Sequence, residues 1–144
     1  MTKRNRLGDL EEIFEILVTS YAQKRGIIPA VGDLCWRPAT DAYETSETFV
    51  VQMDLAGMDP AQIEVLCDER NLLVRGIRSE AKSDGKKHYH KMEISVGPFA
   101  RRVSITVQVD TGSARARYQN GFLYVTFKKG PSDRAKRRQI AVKR

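Results

Sequence analysis

Two histidines and two cysteines are the residues of this chain whose side chains most readily form a reactive or metal-binding site. His88 and His90 flank Tyr89 and would lie on one side of an extended strand, an arrangement from which a metal site can begin. No carboxylate or thiol stands near them at ligand spacing, so we expect no metal site. Cys35 and Cys67 cannot form a disulfide framework or a CxxC zinc site, and Cys67 lies in an alternating run typical of core residues.

The motifs of common enzyme classes are absent from the sequence. It contains no GxxxxGK[ST] phosphate loop, no GxSxG nucleophile elbow and no HExxH zinc motif. Carboxylates such as Asp54 and Asp59 flank turns and have no visible catalytic partner. We therefore expect a protein that is not an enzyme, with no catalytic residue and no cofactor.

Length and composition favour one modest domain with appendages. The chain has 144 residues, of which 41% are hydrophobic and 30% are charged. No run of 18 apolar residues exists, and Glu11, Glu12 and Glu15 interrupt the apolar start, so we expect neither a transmembrane helix nor a signal peptide. With so few cysteines, a reducing cytoplasmic location is the simplest prediction.

Charge and pattern divide the chain into an arm (residues 1–36), a body (37–127) and a tail (128–144). The tail has eight basic residues and one acidic residue, so it carries the whole formal net charge of +7. Such a tail either contacts nucleic acid or an anionic membrane, or is solvated and keeps an assembly soluble. No aromatic residue is interleaved in it to stack on bases, which favours the second interpretation.

The arm is predicted to contain one short amphipathic helix, capped by Asp9 and Glu12 and ended by Gly26 and Pro29. A single helix of this size cannot bury its apolar stripe alone, so it must pack on the body, on another subunit or on a non-native partner. The stripe consists of Leu10, Ile13, Phe14, Leu17, Val18 and Tyr21.

The body alternates apolar and polar residues with a period of two, as strands do when they bury one face. Asn120-Gly121 is typical of a tight hairpin, because a type I′ turn needs two residues with positive φ. The stretch from Ser79 to Gly97, here called the excursion, is long and charged and is expected to project from the body. Short strands with regular turns predict an all-β fold, an antiparallel β-sandwich. The predicted strands cover residues 49–55, 63–67, 72–75, 103–107 and 123–127.

The tail contains one apolar pair, Ile140 and Val142, whose side chains point the same way in an extended chain. Two apolar side chains amid basic residues are typical of a docking peptide. Full burial would contribute about 1.5–3 kcal/mol for each side chain, offset by the ordering of the tail. We expect a weak, exchangeable contact; the alternative is that both are ordinary surface residues.

Several motifs, in this order and spacing, resemble the small heat shock proteins, the α-crystallin-domain family. The resemblance covers about residues 36–127 and the tail motif. Ala56 departs from the proline that the family has in its L-P-G turn, which loosens that turn. The matching segments are Trp36-Arg37-Pro38, Asp54-Leu55-Ala56-Gly57 followed by Ile63-Glu64-Val65, Phe99-Ala100-Arg101, the A-x-x-x-N-G-x-L run over 116–123, and Ile140-Ala141-Val142.

The resemblance implies an immunoglobulin-like antiparallel β-sandwich with a short helical N-terminal arm and an extended C-terminal tail. In bacterial and plant members, an extra strand pairs with the neighbouring subunit's sheet and forms the dimer; here it would lie near residues 88–94. The tail motif would dock in a groove between two strands and link dimers into large oligomers. The implied sites are a dimer interface at His88, Tyr89, His90, Met92 and Arg101, a tail motif at Ile140 and Val142, and a groove at Ile63, Val65, Cys67, Ala116 and Tyr118.

The function that the resemblance implies is ATP-independent holding of unfolding proteins by a dimer-based homo-oligomer. The arm stripe, chiefly Leu10, Ile13, Phe14, Leu17 and Tyr21, would bind clients, and separate ATP-driven chaperones would refold them. Arg101 matches the family arginine near the dimer interface, and we expect carboxylates to hold it. Two alternatives stay open: a β-sandwich co-chaperone or adaptor, and a stress protein that contacts nucleic acid through the basic tail.

Overall fold

The computed structural model describes residues 36–131 and 138–144, which form two stacked β-sheets. One turn of 3-10 helix, Pro60–Gln62, begins where the carboxylate of Asp59 accepts a hydrogen bond from the backbone of Ala61. The helix predicted in the arm lies outside the described residues. The strands are β1 (Thr40–Glu44), β2 (Thr48–Asp54), β3 (Ile63–Cys67), β4 (Asn71–Arg78), β5 (Gly97–Ser104), β6 (Val109–Gln119), β7 (Phe122–Lys129), β8 (Arg138–Ile140) and β9 (Val142–Lys143).

The strand order explains how the chain closes into a sandwich. One sheet has the order β1-β2-β7-β6-β9 and the other has the order β5-β4-β3-β8. All the described pairings are antiparallel except that of β6 with β9, which is parallel. The two short strands of the tail therefore belong to different sheets and lie at the same side of the sandwich. The arrangement confirms the predicted all-β sandwich.

The core lies between the sheets and follows the period-two pattern of the sequence. Along β2, Phe49, Val51 and Met53 point inward, and the register sets them opposite Phe127, Val125 and Leu123 of β7. Trp36 packs its ring edge against Phe99 of β5, with 5.3 Å between ring centroids, and donates a hydrogen bond to the Gly97 carbonyl. The most completely buried side chains are Phe99, Phe127, Met53, Leu55, Leu72, Leu73, Leu123, Val51, Val65, Val74 and Val125.

The hairpin between β6 and β7 has the turn that its sequence predicts. Asn120 has φ of 53° and Gly121 has φ of 83°, both in the left-handed region that a type I′ turn requires. A side chain at Gly121 would also approach the Cα and Cβ of Ala56 to 3.2 Å. The turn is therefore restricted to glycine by its backbone conformation and by a neighbouring segment.

The strand predicted over residues 103–107 is wrong in its position. The structure instead has β5 at Gly97–Ser104, and residues 105–108 connect it to β6. Ile105 is buried, and Val103 and Val107 pack partly against the core, so the apolar alternation continues after the backbone leaves the sheet. Strand β1 lacks this alternation because four of its five residues are exposed, and no strand was predicted there.

The excursion contains no strand between residues 79 and 96. It presents three large apolar side chains to solvent, since Tyr89 is 53%, Met92 61% and Ile94 76% exposed. Its C-terminal end is fixed to β4 by a hydrogen bond from Nη1 of Arg78 to the carbonyl of Ser95, 3.0 Å long. In the part of the chain that the structure describes, no helix is long and apolar enough to cross a membrane.

Candidate functional site: the tail groove and the open edge

The tail crosses from one sheet to the other at one side of the sandwich, here called the covered edge. Strand β8 pairs with β3, with Ile140 opposite Val65 and Arg138 opposite Cys67. Strand β9 then pairs with β6, with Val142 opposite Ala116. Ile140 thus pairs with one sheet and Val142 with the other, and Ala141 connects them across the space between the two sheets.

The groove at the covered edge is apolar, and Ile140 is buried in it. The Ile140 side chain keeps only 5% of its surface exposed, and Val65 and Cys67 keep none. Three of the five predicted groove residues, Val65, Cys67 and Ala116, pair directly with the tail. Ile63 and Tyr118 lie on the same two strands beyond the paired positions, so the structure does not set them opposite the tail.

Tyr118 has a separate role at the end of this groove. Its hydroxyl donates a hydrogen bond of 2.9 Å to the carbonyl of Leu55, and its ring packs partly against the core. Since Leu55 precedes the turn at Ala56 and Gly57, this bond fixes the loop that follows β2.

Burial keeps the thiol of Cys67 protonated. The apolar surroundings raise the pKa of Cys67 to about 11. The positive charge of Arg138 partly offsets this effect, and the negative charge of Asp68 reinforces it. A thiol with this pKa is almost entirely neutral at pH 7 and is a poor nucleophile. Cys67 therefore acts as a small apolar residue of the groove, while Cys35 lies outside the described residues.

Arg138 anchors the start of the docked tail, a role that sequence reasoning missed. Its guanidinium donates hydrogen bonds to the carbonyls of Thr111 and Gly112 on β6. At the other end, the guanidinium of Arg144 lies 3.8 Å from the carboxylate of Asp59. The only signal in the sequence was a basic residue two positions before Ile140, and basic residues are common throughout this tail.

The opposite side of the sandwich, here called the open edge, consists of β1 in one sheet and β5 in the other. Among the described residues, neither strand has a neighbour on its outer side. The backbone N–H and C=O groups along such an edge are available for pairing with another chain.

Arg101 lies on β5 at this open edge and is incompletely paired. Its Nη1 donates a hydrogen bond of 2.9 Å to the carbonyl of Pro38, while its buried Nε has no partner among the described residues. Burial, and secondarily the charge of Arg37, lower the pKa of the Arg101 guanidinium. We expected carboxylates to bind the Arg101 guanidinium. Within the described part of one chain, its hydrogen-bond acceptor is instead the backbone carbonyl of Pro38.

The other predicted interface residues lie on the excursion. His88, Tyr89, His90 and Met92 are all exposed. No hydrogen bond or ion pair of the described residues joins them to Arg101. The described hydrogen bonds and ion pairs therefore do not link the predicted interface residues of the excursion to Arg101 within a single chain. The predicted client-binding residues Leu10, Ile13, Phe14, Leu17 and Tyr21 lie outside the described residues.

Fold and tail together define a class of protein: a two-sheet sandwich whose C-terminal strands close one edge. Comparison with known proteins agrees, since the profile of the Hsp20/alpha crystallin family matches residues 41–143. Small heat shock protein C2 of Rickettsia felis is 30% identical over 106 residues, which are 74% of this chain and 68% of that protein. The 18 kDa heat shock protein of Streptomyces albus G is 35% identical over 105 residues, covering 71% of this chain and 70% of that protein.

A solved structure gives the same assignment. The crystal structure of hspA from Xanthomonas axonopodis is 34% identical and superposes with a TM-score of 0.60, covering 67% of this chain and 97% of that one. The chain belongs to the Hsp20/alpha crystallin family, as the sequence resemblance indicated. It is of the small heat shock protein type, and membership of this family implies a chaperone role. The relatives named here are heat shock proteins rather than enzymes.

Proposed function

We propose that this protein is an ATP-independent holdase, which binds unfolding proteins and prevents their aggregation under stress. The observation that carries the proposal is the apolar groove at the covered edge, filled by a short peptide of the protein's own tail. Ile140 is 5% exposed there, and within the described part of the tail, residues 138–140 and 142–143 hold it by strand pairing. A groove that accepts an apolar peptide through backbone pairing can accept an apolar segment of an unfolding protein in the same way.

The energetics of the tail fit a contact that exchanges. Burial of Ile140 contributes about 1.5–3 kcal/mol, and Val142 contributes less because it is only half-buried. Ordering the backbone of the tail costs about 1–2 kcal/mol per residue. Over the five paired residues this cost exceeds the apolar gain, so the backbone hydrogen bonds to β3 and β6 must supply the rest of the stabilisation. The tail therefore leaves the groove readily on heating, and a client's apolar segment then binds there by the hydrophobic effect.

The open edge is the proposed site of dimerisation. An extra strand from a neighbour's excursion, near residues 88–94, would pair with the unpaired edge there. The apolar side chains of Tyr89, Met92 and Ile94 would be buried in that contact. The unpartnered Nε of Arg101 would gain an acceptor from the second subunit.

Larger assemblies follow if a tail docks in the groove of a neighbouring subunit instead of its own. The same pairings, Ile140 with β3 and Val142 with β6, would then link dimers into homo-oligomers. The arm stripe would add client-binding surface, and held clients would pass to ATP-dependent refolding chaperones. We place this activity in the cytoplasm.

Light scattering of a heat-denaturing enzyme tests the proposal. The enzyme is heated with and without this protein, in the absence of ATP, and an inert protein of similar charge serves as the control. We expect near-equimolar subunits to suppress scattering and the inert protein to have no such effect. Unchanged scattering at temperatures where this protein is still folded would reject the holdase function.

A further inference from the structure

The docked tail creates a basic groove that adjoins the apolar one and shares Ala116 and Ile140 with it. This basic groove lies between β6 and the tail and has a volume of about 440 Å³. Its uncharged lining consists of small or apolar residues, Ala114, Ala116, Ile140 and Ala141. Its charged lining is entirely cationic and consists of Arg115, Arg117, Arg138, Lys143 and Arg144.

The positive charges of the basic groove are almost entirely uncompensated by carboxylates. Arg115 donates to the carbonyl of Ala114 at 2.9 Å, and Arg138 donates to backbone carbonyls of β6. Among the residues that the structure describes, Arg144 alone of the five has a carboxylate within 4 Å, that of Asp59. Backbone carbonyls orient a guanidinium but leave its net charge in place, so the groove attracts anions.

Tail docking also places like charges side by side. In the parallel pairing of β6 with β9, Lys143 stands directly opposite Arg117. Like charges at opposed positions of a sheet destabilise the pairing. An anion bound between these two side chains would convert this repulsion into attraction to a shared partner.

Aromatic side chains adjoin the cations on the outer face of the same sheet. Tyr124 is opposite Arg117 in the register of β6 and β7, so their side chains share one face. Phe122 lies two residues from Tyr124 on β7, with 6.3 Å between ring centroids, and both rings are half-buried rather than enclosed. Rings beside a cationic groove provide the stacking surface on which bases of a single strand bind.

We propose that the basic groove binds the phosphodiester backbone of single-stranded nucleic acid, with bases stacking on Tyr124 and Phe122. Arginine suits this role because its planar guanidinium donates two parallel hydrogen bonds to a phosphate. The acidic headgroups of a membrane would use the same cations, but half-buried rings on a sheet face can insert little apolar surface among the lipids, whereas they can stack on bases. The aromatic pair is therefore the reason for choosing a nucleic acid as the ligand.

Binding of the nucleic acid is coupled to docking of the tail. Three of the five cations, Arg138, Lys143 and Arg144, belong to the tail, so the basic groove is complete only while the tail is docked. By thermodynamic linkage, docking raises the affinity for the strand, and the bound strand raises the docked fraction by the same factor. A bound strand thus keeps the apolar groove closed and opposes client binding there.

Fluorescence anisotropy of the full-length protein with labelled U20 and dT20 oligonucleotides tests the proposal, the two arms separating RNA from DNA. The test variant is Arg115→Gln with Arg117→Gln. Its matched control is Lys82→Gln with Lys86→Gln, which loses the same charge from exposed positions of the excursion. We expect the groove variant to weaken binding at least tenfold and the control less than twofold. If both variants lost the same amount of affinity, binding would depend on net charge alone, and the proposed site would be wrong.

The dependence of affinity on salt gives a second readout. Each phosphate contact to a single strand adds about 0.7 to the slope of log affinity against log salt. Loss of two arginines from the basic groove should lower that slope by about 1.4, whereas the excursion variant should leave it nearly unchanged. Circular dichroism of both variants confirms that each is folded.

A third variant separates the assembled groove from a loose basic tail. Ile140→Ser with Val142→Ser keeps every charge but removes the apolar contacts that dock the tail. Weaker oligonucleotide binding by this variant supports the groove. Unchanged oligonucleotide affinity would show that the tail binds without docking. If the protein bound phosphatidylserine vesicles but neither oligonucleotide, the cations would be assigned to a membrane. Either result would overturn the proposal.

Discussion

The two edges of the sandwich differ in whether strands of the same chain cover them. At the covered edge, β8 and β9 lie over β3 and β6, and Ile140 is 5% exposed. At the open edge, β1 has no described neighbour on its outer side, and its Tyr43 is 44% exposed. An unprotected sheet edge invites association with other chains. This chain closes one edge with its own tail and leaves the other edge without a described neighbour, and that second edge is the one we propose for dimerisation.

The two edges also differ in what their pairing requires. The covered edge depends on two apolar side chains docked against opposite sheets, whereas the open edge offers mainly backbone and the incompletely paired Arg101. The first contact should therefore respond mainly to loss of apolar surface. The second should respond to loss of hydrogen bonding at the edge as well as to loss of the apolar side chains of the excursion. Substitutions that affect one edge and spare the other test this distinction.

The largest effect is expected from Ile140→Asp, which places a charge in the apolar groove. Burying an unpaired carboxylate costs several kcal/mol, so the tail should remain undocked. In a Cys35→Ser background, we expect alkylation of Cys67 at pH 8 to accelerate by one to two orders of magnitude, because the tail no longer covers it. Gln139→Asp adds the same charge at an exposed position of β8 and serves as the control. Equal rates in the two variants would show that the tail does not protect Cys67.

At the open edge, Arg101→Gln should shift the protein toward monomers. The change removes a half-buried guanidinium whose buried Nε would find its acceptor on the second subunit in the proposed dimer, so the dimer loses a charge-assisted hydrogen bond. Sedimentation velocity measures the shift, and Arg37→Gln, at an exposed neighbour, is the control. The alkylation rate of Cys67 should be unaffected, since the covered edge is intact. An unchanged sedimentation profile would remove Arg101 from the dimer interface.

The covered edge should also lose stability in alkaline solution. Burial raises the pKa of Cys67 from 9.0 to about 11, so between these pH values the unfolded chain releases a proton that the native chain keeps. The free energy of unfolding therefore falls as pH rises through this range, by about 2 kcal/mol in total. Urea unfolding at pH 8.5 and 10.5 measures the effect, and Cys67→Ala should abolish this part of it. If the difference in free energy of unfolding between the wild type and Cys67→Ala were the same at both pH values, Cys67 would not be the group responsible.

The smallest effect is expected from Arg138→Gln, which weakens the start of the docked tail without touching its apolar residues. The variant loses the hydrogen bonds of the guanidinium to Thr111 and Gly112, worth about 1 kcal/mol at this partly exposed position. Alkylation of Cys67 in the Cys35→Ser background should accelerate about fivefold, well below the Ile140→Asp effect. A rate as high as that of Ile140→Asp would make Arg138, not Ile140, the principal anchor.

Features set by neighbouring residues were predictable from the sequence. The Asn120-Gly121 turn and the alternation of β2 and β3 require only local backbone preferences and one buried face. The strand over residues 103–107 was wrong because Ile105 and its apolar neighbours bury their side chains outside the sheet. Strand β1 was missed because pairing with β2, rather than an apolar face, gives it its conformation.

The apolar groove and the basic groove also differ in whether residues close together in the sequence reveal them. The spacing of Ile140 and Val142 indicated a docking peptide, because two residues of one segment share one side of an extended chain. The basic groove was not foreseen, since its cations come from β6 and from two separate parts of the tail. Only the register that sets Lys143 opposite Arg117 brings those segments together.

In the proposed holdase, the short connection between β7 and the tail would determine which clients can displace that tail. Residues 130–137 join the end of β7 to the start of β8, so the tail is held near its groove at an effective concentration in the millimolar range. A protein with one exposed apolar loop, present at micromolar concentration, loses this competition. An extensively unfolded chain offers many such segments and gains avidity from several subunits at once. In the proposed holdase, the tether would therefore favour binding of badly unfolded proteins over native ones with a minor apolar patch.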